Sequence, residues 1–368
     1  MTLSAEASPL TFNHELNPNP ASDLERESVL ANPGFGLHFT DHMVAIDWDL
    51  GVGWHDARLQ PYGPLQVDPA SAVLHYGQEI FEGLKAYRHD DGSIWTFRPE
   101  KNAERLQRSA RRLALPELPV DAFLESLKQI VRADKAWVPT DADGSLYLRP
   151  FMIANETFLG VRAAHRVAYY VIASPAGPYF SGGVKPVSIW LSTEYSRAGR
   201  GGTGAAKCGG NYAASLLPQE EAAANGCSQV LFLDAETGTH VDELGGMNVF
   251  FVMGDRLVTP ATSGSILEGV TRDSILQLAR DRGMTVEERD FTLEEWRDGV
   301  ESGTISETFA CGTAAVITPI AQVKGHDVLF GDADAPAGEV TLSLRQELTD
   351  IQHGRAEDRH GWLYRLDA

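Results

Sequence analysis

The sequence predicts an α+β protein of two domains in which mixed sheets pack with helices. Segments typical of strands come in pairs, and some are joined by turn signals such as Asp90-Asp91-Gly92. Segments typical of helices interrupt these pairs irregularly, which disfavours a doubly wound parallel sheet. The length of 368 residues suffices for two domains that share a cleft.

Composition limits the classes of partner. Hydrophobic residues make up 43% and charged residues 22% of the chain, as is usual for globular enzymes. The formal net charge of −20 argues against nucleic acid or an anionic membrane as the main partner. There is no long apolar run and no basic-then-apolar N-terminus. Three cysteines without metal-ligand spacing are typical of reduced thiols, so we expect a cytoplasmic protein without a metal site (Cys208, Cys227 and Cys311).

In the N-terminal half, residues 1–33 are polar and are predicted to form an irregular arm. Residues 42–48 have strand character. Apolar residues at three- and four-residue spacing then predict a short helix (Ile80, Phe81, Leu84 and Tyr87). The next helices are predicted over 102–115 and 121–134, the second capped by Asp121.

Residues 146–151 are predicted to form a strand with an arginine between two aromatic residues on one face. Period two places Tyr147, Arg149 and Phe151 together. A structural ion pair and an anion clamp are both open interpretations of Arg149.

In the C-terminal half, strand and helix signals alternate irregularly. Strands are predicted at 166–174, 187–193, 229–234, 239–244, 248–253, 256–259, 286–289 and 305–310, and helices at 211–225, 269–283 and from 292 onward. The segment 178–186 is rich in Pro and Gly. We therefore expect a smaller α/β domain over 1–177, an interdomain loop over 178–186, and a larger cofactor-binding domain over 187–368.

Glycines surround a single lysine, Lys207, in the stretch 199–215, within apolar neighbours that would lower its pKa. Such an amine is a candidate for Schiff-base chemistry. Residues 199–204 also fit the dinucleotide-binding pattern G-x-G-x-x-G, but an acid at the end of a second strand does not follow. A phosphate-binding P-loop would need Ser or Thr after the lysine, where this chain has Cys208.

Three further features favour pyridoxal 5'-phosphate as the cofactor. Glu243 ends a strand beside two glycines, and Val270 and Thr271 begin a helix. A turn of small residues follows a strand at 312–314. This cofactor needs a lysine, an acid at the pyridine nitrogen and a phosphate cradle.

At these residues the sequence resembles the branched-chain amino acid aminotransferases over nearly all of 35–362. The resemblance rests on short strings that occur in order: Leu74-His-Tyr-Gly, Phe81-Glu-Gly, Tyr147-Leu-Arg-Pro, Lys207-Cys-Gly-Gly-Asn-Tyr, Glu243-Leu-Gly-Gly-Met-Asn, Gly269-Val-Thr-Arg-Asp-Ser and Gly312-Thr-Ala-Ala. It implies the two-domain fold type IV, which is D-amino acid aminotransferase-like, with a cofactor cleft between the domains. It also implies amino transfer between L-Leu, L-Ile or L-Val and 2-oxoglutarate by a ping-pong mechanism.

The resemblance implies a role for each matching residue. Lys207 would carry the Schiff base and move the substrate proton, Glu243 would pair with the pyridine nitrogen, and Tyr212 would bind the ring oxygen. The phosphate would be held by Arg105, Val270, Thr271 and Thr313. The substrate α-carboxylate would be held by Tyr147, Thr313 and Ala314. The side-chain pocket would be lined by Phe35, Phe81, Tyr179 and Met247.

The resemblance also gives Arg149 a function. With Tyr76 from a neighbouring subunit, it would bind the γ-carboxylate of glutamate, so at least a homodimer is expected. D-amino acid aminotransferases and aminodeoxychorismate lyases share the fold, but the Tyr147 and Arg149 pair and the long N-terminal region argue against both. A nicotinamide-dependent dehydrogenase that uses residues 199–204 is the alternative from another class.

Overall fold

The computed structural model describes residues 10–141, 143–177 and 183–368. The chain forms two compact units, Met1–Pro178 with Ile351–Ala368, and Tyr179–Asp350. The predicted domains divide the chain differently at its C-terminal end, because residues 351–368 belong to the first unit. Their strand Leu363–Arg365 pairs with Ile94–Phe97, and Leu366 is fully buried.

The elements alternate irregularly along the described chain. Its α-helices are α1 Asp23–Ala31, α2 Ala72–Tyr76, α3 Pro99–Arg112, α4 Val120–Ala133, α5 Gly209–Ala224, α6 Val270–Asp281, α7 Leu293–Ser302 and α8 Glu339–Gln352. Its strands are β1 Asn13–His14, β2 His42–Asp49, β3 Gly53–Pro61, β4 Glu79–Phe81, β5 Leu84–Arg88, β6 Ile94–Phe97, β7 Ser145–Ile153, β8 Arg166–Ala176, β9 Val187–Ser192, β10 Gln229–Leu233, β11 Val241–Leu244, β12 Asn248–Met253, β13 Arg256–Thr259, β14 Thr285–Glu288, β15 Glu307–Gly312, β16 Val316–Lys324, β17 Leu329–Gly331 and β18 Leu363–Arg365.

The first unit is built on a largely antiparallel sheet. Its strand order is β1-β3-β2-β8-β7-β5-β6-β18, and β4 also pairs with β7. The central strand β7 alternates buried and half-buried residues, as a strand with one accessible face should. This alternation confirms the predicted strand and places Tyr147, Arg149 and Phe151 on its more accessible face.

The second unit is built on a mixed sheet. Its strand order is β11-β10-β9-β16-β15-β12-β13-β14, and β17 pairs with β16. Strand β9 is parallel to both of its neighbours, whereas β12, β15 and β16 are antiparallel to one another in turn. The predicted α+β class with mixed sheets is confirmed. Stacked aromatic rings lie in the core of this sheet, with the ring centroids of Phe251 and Phe291 3.9 Å apart.

Three local predictions were wrong. The stretch expected to be helical over 80–87 forms β4 and β5 instead. The apolar residues of this stretch fall at helical spacing because residues 82–83 separate those of β4 from those of β5. The N-terminal arm contains the helix α1, whose Ser22 and Glu25 form a reciprocal capping box. Asp121 does not cap α4, since that helix already begins at Val120 after Pro119.

Candidate active site

Lys207 lies in the loop between β9 and α5. Its Nζ donates a hydrogen bond of 2.5 Å to Tyr212 Oη, and it lies 4.9 Å from the centroid of the tyrosine ring. Tyr212 stands in the first turn of α5, so the helix fixes the phenol beside the amine. The flanking residues Ala206 and Cys208 are buried, so the lysine side chain extends from a packed backbone.

A buried arginine, Arg197, fixes the lysine loop. Its Nη1 donates to the carbonyl oxygen of Ser265 at 2.8 Å and to that of Gly204 at 3.4 Å. A Cβ atom built on Gly204 would lie 2.1 Å from Ser265 O. Only glycine therefore allows these two backbone segments to approach so closely.

The same arginine binds the candidate acid, Glu243. Arg197 Nη1 lies 3.0 Å from Glu243 Oε1, and this oxygen also accepts a 2.7 Å hydrogen bond from the backbone N–H of Leu267. Asn248 Nδ2 donates to Oε2 at 3.3 Å. Glu243 is only 2% exposed, so its carboxyl group is held in one position by its partners.

Opposing effects act on the pKa of Glu243. Burial raises the pKa of this carboxyl to about 7, although the positive charges of Arg197 and Lys207 and the N–H of Leu267 act in the opposite direction. A carboxyl group with a pKa near neutrality can share a proton with a weakly basic ring nitrogen. Arg197 binds both Glu243 and the carbonyl oxygen of Gly204, and so connects the acid to the loop that carries the amine.

Two backbone sites in the second unit could receive an anion. Helix α6 begins at Val270 and Thr271 without a side-chain cap on its N-terminal N–H groups, as far as the described residues show. The turn after β15 presents Thr313 and Ala314, both half-buried. Backbone N–H groups at such places can bind phosphate or carboxylate.

Close packing of glycines connects the turn to the lysine. A Cβ atom on Gly312 would lie 3.2 Å from Met247 Cγ and 3.4 Å from Gly246 O. A Cβ atom on Gly246 would in turn lie 3.9 Å from Tyr212 Cε1. The second unit therefore brings Lys207, Tyr212 and the turn beside Thr313 into one neighbourhood.

The first unit gathers a second set of predicted residues. Arg149 Nη2 donates to Tyr147 Oη at 3.2 Å, and the guanidinium lies over the rings of Phe81 and Tyr147 at 4.9 and 5.3 Å. Phe35 packs edge-on against Tyr147 with the ring centroids 5.0 Å apart. The buried Nε of Arg149 has no hydrogen-bond partner among the described residues, which favours an anion clamp over a structural ion pair.

Arg105 has a strong protein partner in the same unit. Its Nε and Nη2 each donate at 2.7 Å to the carboxylate of Glu82, which is completely buried. Asn102 Nδ2 adds a 2.8 Å hydrogen bond to Glu82. This bidentate pair fixes the plane of the guanidinium.

Two predicted residues stand apart from these sets. Tyr76 donates its hydroxyl hydrogen bond to the carbonyl oxygen of Leu159, and its ring lies near Phe158. Tyr179 lies outside the described residues. In the described part of the chain, no group of His, Cys, Asp or Glu side chains is arranged to bind a metal ion. No helix among the described residues is long and apolar enough to cross a membrane.

Sequence reasoning missed Arg197, Asn248 and Glu82. Arg197 precedes the lysine by ten positions in a polar segment with no periodic pattern, so no sequence signal could have found it. Asn248 and Glu82 occur in the strings that carry the family resemblance. Glu82 lies in a segment that was predicted to be helical, so its position after a strand and its pairing with Arg105 were not predicted.

Comparison with known proteins finds one matching family model and relatives of high sequence identity. The family model described as "Amino-transferase class IV" matches residues 79–323. A branched-chain-amino-acid aminotransferase of Mycolicibacterium smegmatis is 60% identical over 364 residues, which cover 98% of this chain and 99% of that protein. The enzyme of the same name from Mycobacterium tuberculosis is 59% identical, with coverage of 95% and 96%.

Solved structures agree with these relatives. The branched-chain amino acid aminotransferase of Escherichia coli superposes with a TM-score of 0.72 at 28% identity, covering 87% of this chain and 99% of that one. The enzyme of the same name from Thermobaculum terrenum, solved in its PLP-form, gives a TM-score of 0.71 at 27% identity, with coverage of 89% and 98%.

Proposed function

The chain belongs to the class IV aminotransferases, and on this premise we propose that it is a branched-chain amino acid aminotransferase. It transfers the amino group between L-Leu, L-Ile or L-Val and 2-oxoglutarate in a ping-pong sequence. The observation that carries this proposal is that Arg197 binds both the buried acid Glu243 and a carbonyl of the loop that presents Lys207 to the Tyr212 phenol.

The residues present fit pyridoxal 5'-phosphate. Glu243 is a buried carboxyl group held by Arg197, and would serve as the acid at the pyridine nitrogen. Helix α6 offers N–H groups without a side-chain cap to a phosphate. When bound, this cofactor withdraws electrons from the substrate Cα and carries the amino group from one substrate to the other.

Lys207 has two tasks in this proposal. Its amine would hold the cofactor covalently until the amino group of the substrate displaces it. The freed amine would then accept the proton from the substrate Cα, and in the reverse half-reaction it would return a proton to Cα. The Tyr212 hydroxyl, 2.5 Å from Nζ, orients the amine, and by resemblance we assign to it the hydrogen bond with the ring oxygen of the cofactor. Because the flanking residues Ala206 and Cys208 are buried, the backbone that carries the amine is held in place.

Glu243 would pair with the pyridine nitrogen, whose positive charge when protonated would oppose the effect of burial and favour the carboxylate. Arg197, Leu267 N–H and Asn248 hold its carboxyl group, so no reorientation is needed during the reaction. We assign the phosphate to Arg105, Val270, Thr271 and Thr313. Glu82 fixes the guanidinium plane of Arg105 for this task.

We assign the substrate α-carboxylate to Tyr147, Thr313 and Ala314, and the glutamate γ-carboxylate to Arg149. The aromatic rings of Phe35 and Phe81 next to Arg149 can also pack on an aliphatic side chain, which lets one pocket accept leucine and glutamate. Tyr179 is assigned to the same pocket by resemblance alone.

The covalent role of Lys207 is tested by reduction of the cofactor-loaded protein with borohydride, followed by peptide mapping. We expect the pyridoxyl group on Lys207 in the wild type, and no label at this position in Lys207→Ala. The exposed Lys185 serves as control, because Lys185→Ala should be labelled as the wild type is. A pyridoxyl group on any other lysine contradicts the assignment.

We further propose that the enzyme is a homodimer in which Tyr76 of each subunit serves the neighbouring site. Tyr76 and Leu159, which are joined by a hydrogen bond, are exposed by 40% and 65%. Leu74 and Val161, two positions along the chain from each of them, are exposed by 59% and 89%. A cluster of this kind marks an interaction surface. A second copy of the chain would remove it from water.

Analytical ultracentrifugation tests the dimer. Introducing charge with Leu159→Asp and Val161→Asp should weaken dimerisation by at least about tenfold, since two apolar side chains would be replaced by repelling carboxylates. Val52→Asp, at a 70% exposed position in the turn before β3, is the matched control and should leave the dimer intact. A double variant that remains as dimeric as the wild type overturns this interface.

A further inference from the structure

The turn between β15 and β16 holds a valine in a conformation that valine resists. Gly312 pairs with Val316 across the hairpin, so residues 313–315 form the connection. Val316 is buried and has a φ of 62°. A β-branched residue at positive φ is strained, and glycine is the usual occupant of such a position. Contacts from outside the turn are therefore needed to keep this conformation.

Arg345, on helix α8, supplies such contacts. Its Nη1 donates to the carbonyl oxygen of Ala315 at 2.5 Å and to that of Ile317 at 3.0 Å. These carbonyls belong to the residues on either side of Val316. Hydrogen bonds from a charged donor are stronger than neutral ones, so the guanidinium fixes the peptide group that precedes Val316 and the carbonyl of the residue that follows it.

Helix α8 is also tied to the beginning of the same hairpin. Glu307, the first residue of β15, accepts hydrogen bonds from the backbone N–H groups of Val340 and Thr341 at 3.0 and 2.8 Å. A carboxylate at this helix N-terminus also complements the helix dipole. Leu344 and Leu348 are completely buried. The helix is thus a rigid support from which Arg345 reaches the turn.

We propose that Arg345 is a positioning residue for the substrate α-carboxylate. It keeps the turn in the conformation that directs Thr313 and Ala314 toward the anion, and this inference rests on the proposed function, which assigns the carboxylate to them. Preorganised donors bind an anion without first being reordered. Loss of Arg345 therefore weakens binding of the amino acid and the oxo acid alike, and raises KM while kcat changes little.

Three variants and one control test whether Arg345 positions the turn or only supports the fold in general. Arg345→Met removes the donors and keeps the aliphatic part of the side chain. Val316→Gly removes the strain, because glycine adopts a positive φ freely. The double variant should keep the turn in place without the arginine. Arg282→Met is the control, since Arg282 contacts the same helix at Ser343 O and Glu347.

Two measurements follow these variants. Hydrogen exchange of the backbone over 312–317 is recorded without substrate. The Kd of 4-methylvaleric acid, which has the carboxylate and aliphatic chain of leucine but no amino group, is measured on the cofactor-loaded enzyme. In Arg345→Met we expect exchange to accelerate and binding to weaken, each by about tenfold or more. Val316→Gly in this background should restore both values to within about threefold of wild type, and Arg282→Met should leave both unchanged.

The proposal is overturned if Arg345→Met binds 4-methylvaleric acid as tightly as the wild type does. It is also overturned if the double variant binds as weakly as Arg345→Met, because the arginine would then act by a route other than the turn. A wild-type protein that transfers no amino group from L-leucine contradicts the proposed function instead. The exchange measurement is independent of that failure, since it needs no substrate.

Discussion

Single residues determine the charges on which the proposed reaction depends. Glu243 is buried against a positive charge, a backbone donor and an amide, and its pKa is raised to about 7 mainly by burial. Asp242, its neighbour in β11, has a pKa raised to about 6 by burial, with a hydrogen bond from Ser265 acting in the opposite direction. Successive side chains of a strand point to opposite faces, so only one of these two acids can serve the cofactor.

The first prediction concerns Glu243→Gln. The raised pKa means that the folded cofactor-free protein binds the Glu243 proton more tightly than the unfolded chain does. The contribution of this group to the free energy of unfolding is therefore fully present below the ordinary pKa of 4.5 and is lost as the pH rises to about 7. The loss amounts to at most about 3 kcal/mol. Glu243→Gln should lack this pH-dependent loss in urea unfolding of the cofactor-free protein.

In the cofactor-loaded protein, the same variant should slow proton removal from the substrate Cα by about 10²-fold or more, as seen in single-turnover absorbance. Asp242→Asn is the control and should retain the rate, although loss of the Asp242 charge lowers the pKa of Glu243. A wild-type rate in Glu243→Gln would show that this acid does not act on the pyridine nitrogen.

Arg149 provides the second prediction at this scale. A guanidinium binds a carboxylate through two parallel hydrogen bonds, which leucine cannot accept with its side chain. Arg149→Met should therefore reduce kcat/KM for glutamate and 2-oxoglutarate by the equivalent of about 2–5 kcal/mol, and that for leucine far less. Each half-reaction is measured separately, because ping-pong turnover needs both substrates.

Arg166→Met, on the neighbouring strand β8, is the matched control because Arg166 is exposed and pairs with Asp49. It should leave both half-reactions unchanged. Equal losses for glutamate and leucine in Arg149→Met would assign Arg149 to the shared α-carboxylate or to support of the strand.

Elements place these residues through backbone approaches that only small residues allow. Strand β5 begins immediately after Gly83, and a Cβ atom on this glycine would lie 2.0 Å from Tyr147 Oη and 2.9 Å from its Cζ. Tyr147 lies on β7, which pairs with β5, and its hydroxyl accepts the hydrogen bond from Arg149. The position of the Tyr147 hydroxyl thus depends on the absence of a side chain at residue 83.

Gly83→Ala should displace the Tyr147 hydroxyl and weaken its hydrogen bond with Arg149. Because Tyr147 is assigned to the α-carboxylate, KM should rise by about tenfold for the amino acid and the oxo acid, with a stability loss of about 1–3 kcal/mol. Steady-state kinetics and urea unfolding measure these effects. Gly63→Ala, where an added Cβ meets nothing within 4 Å, should change neither. Unchanged KM values in Gly83→Ala would remove Tyr147 from substrate binding.

Over the whole molecule, the features that could be predicted from the sequence are those that depend on short local patterns. Alternation predicted β7, and glycines with small polar residues pointed to the lysine loop and the turn after β15. The pairing of Arg197 with Glu243, distant in the chain, could not be predicted because it depends on how separate loops meet. The return of residues 351–368 to the first unit was missed for the same reason, since strand pairing between β6 and β18 leaves no periodic signal. The site assignments themselves came from family resemblance and remain proposals.

The central claim is that this chain moves an amino group from a branched-chain amino acid to 2-oxoglutarate by means of Lys207. The most direct test mixes the cofactor-loaded protein with L-leucine in the absence of any oxo acid, and measures the 2-oxo acid released per chain. We predict about one equivalent, followed by about one equivalent of glutamate when 2-oxoglutarate is added after removal of leucine. Lys207→Ala should release neither product, although it folds and binds the cofactor. Release of the oxo acid by Lys207→Ala, or a wild-type reaction that proceeds only with a nicotinamide cofactor, would contradict the claim.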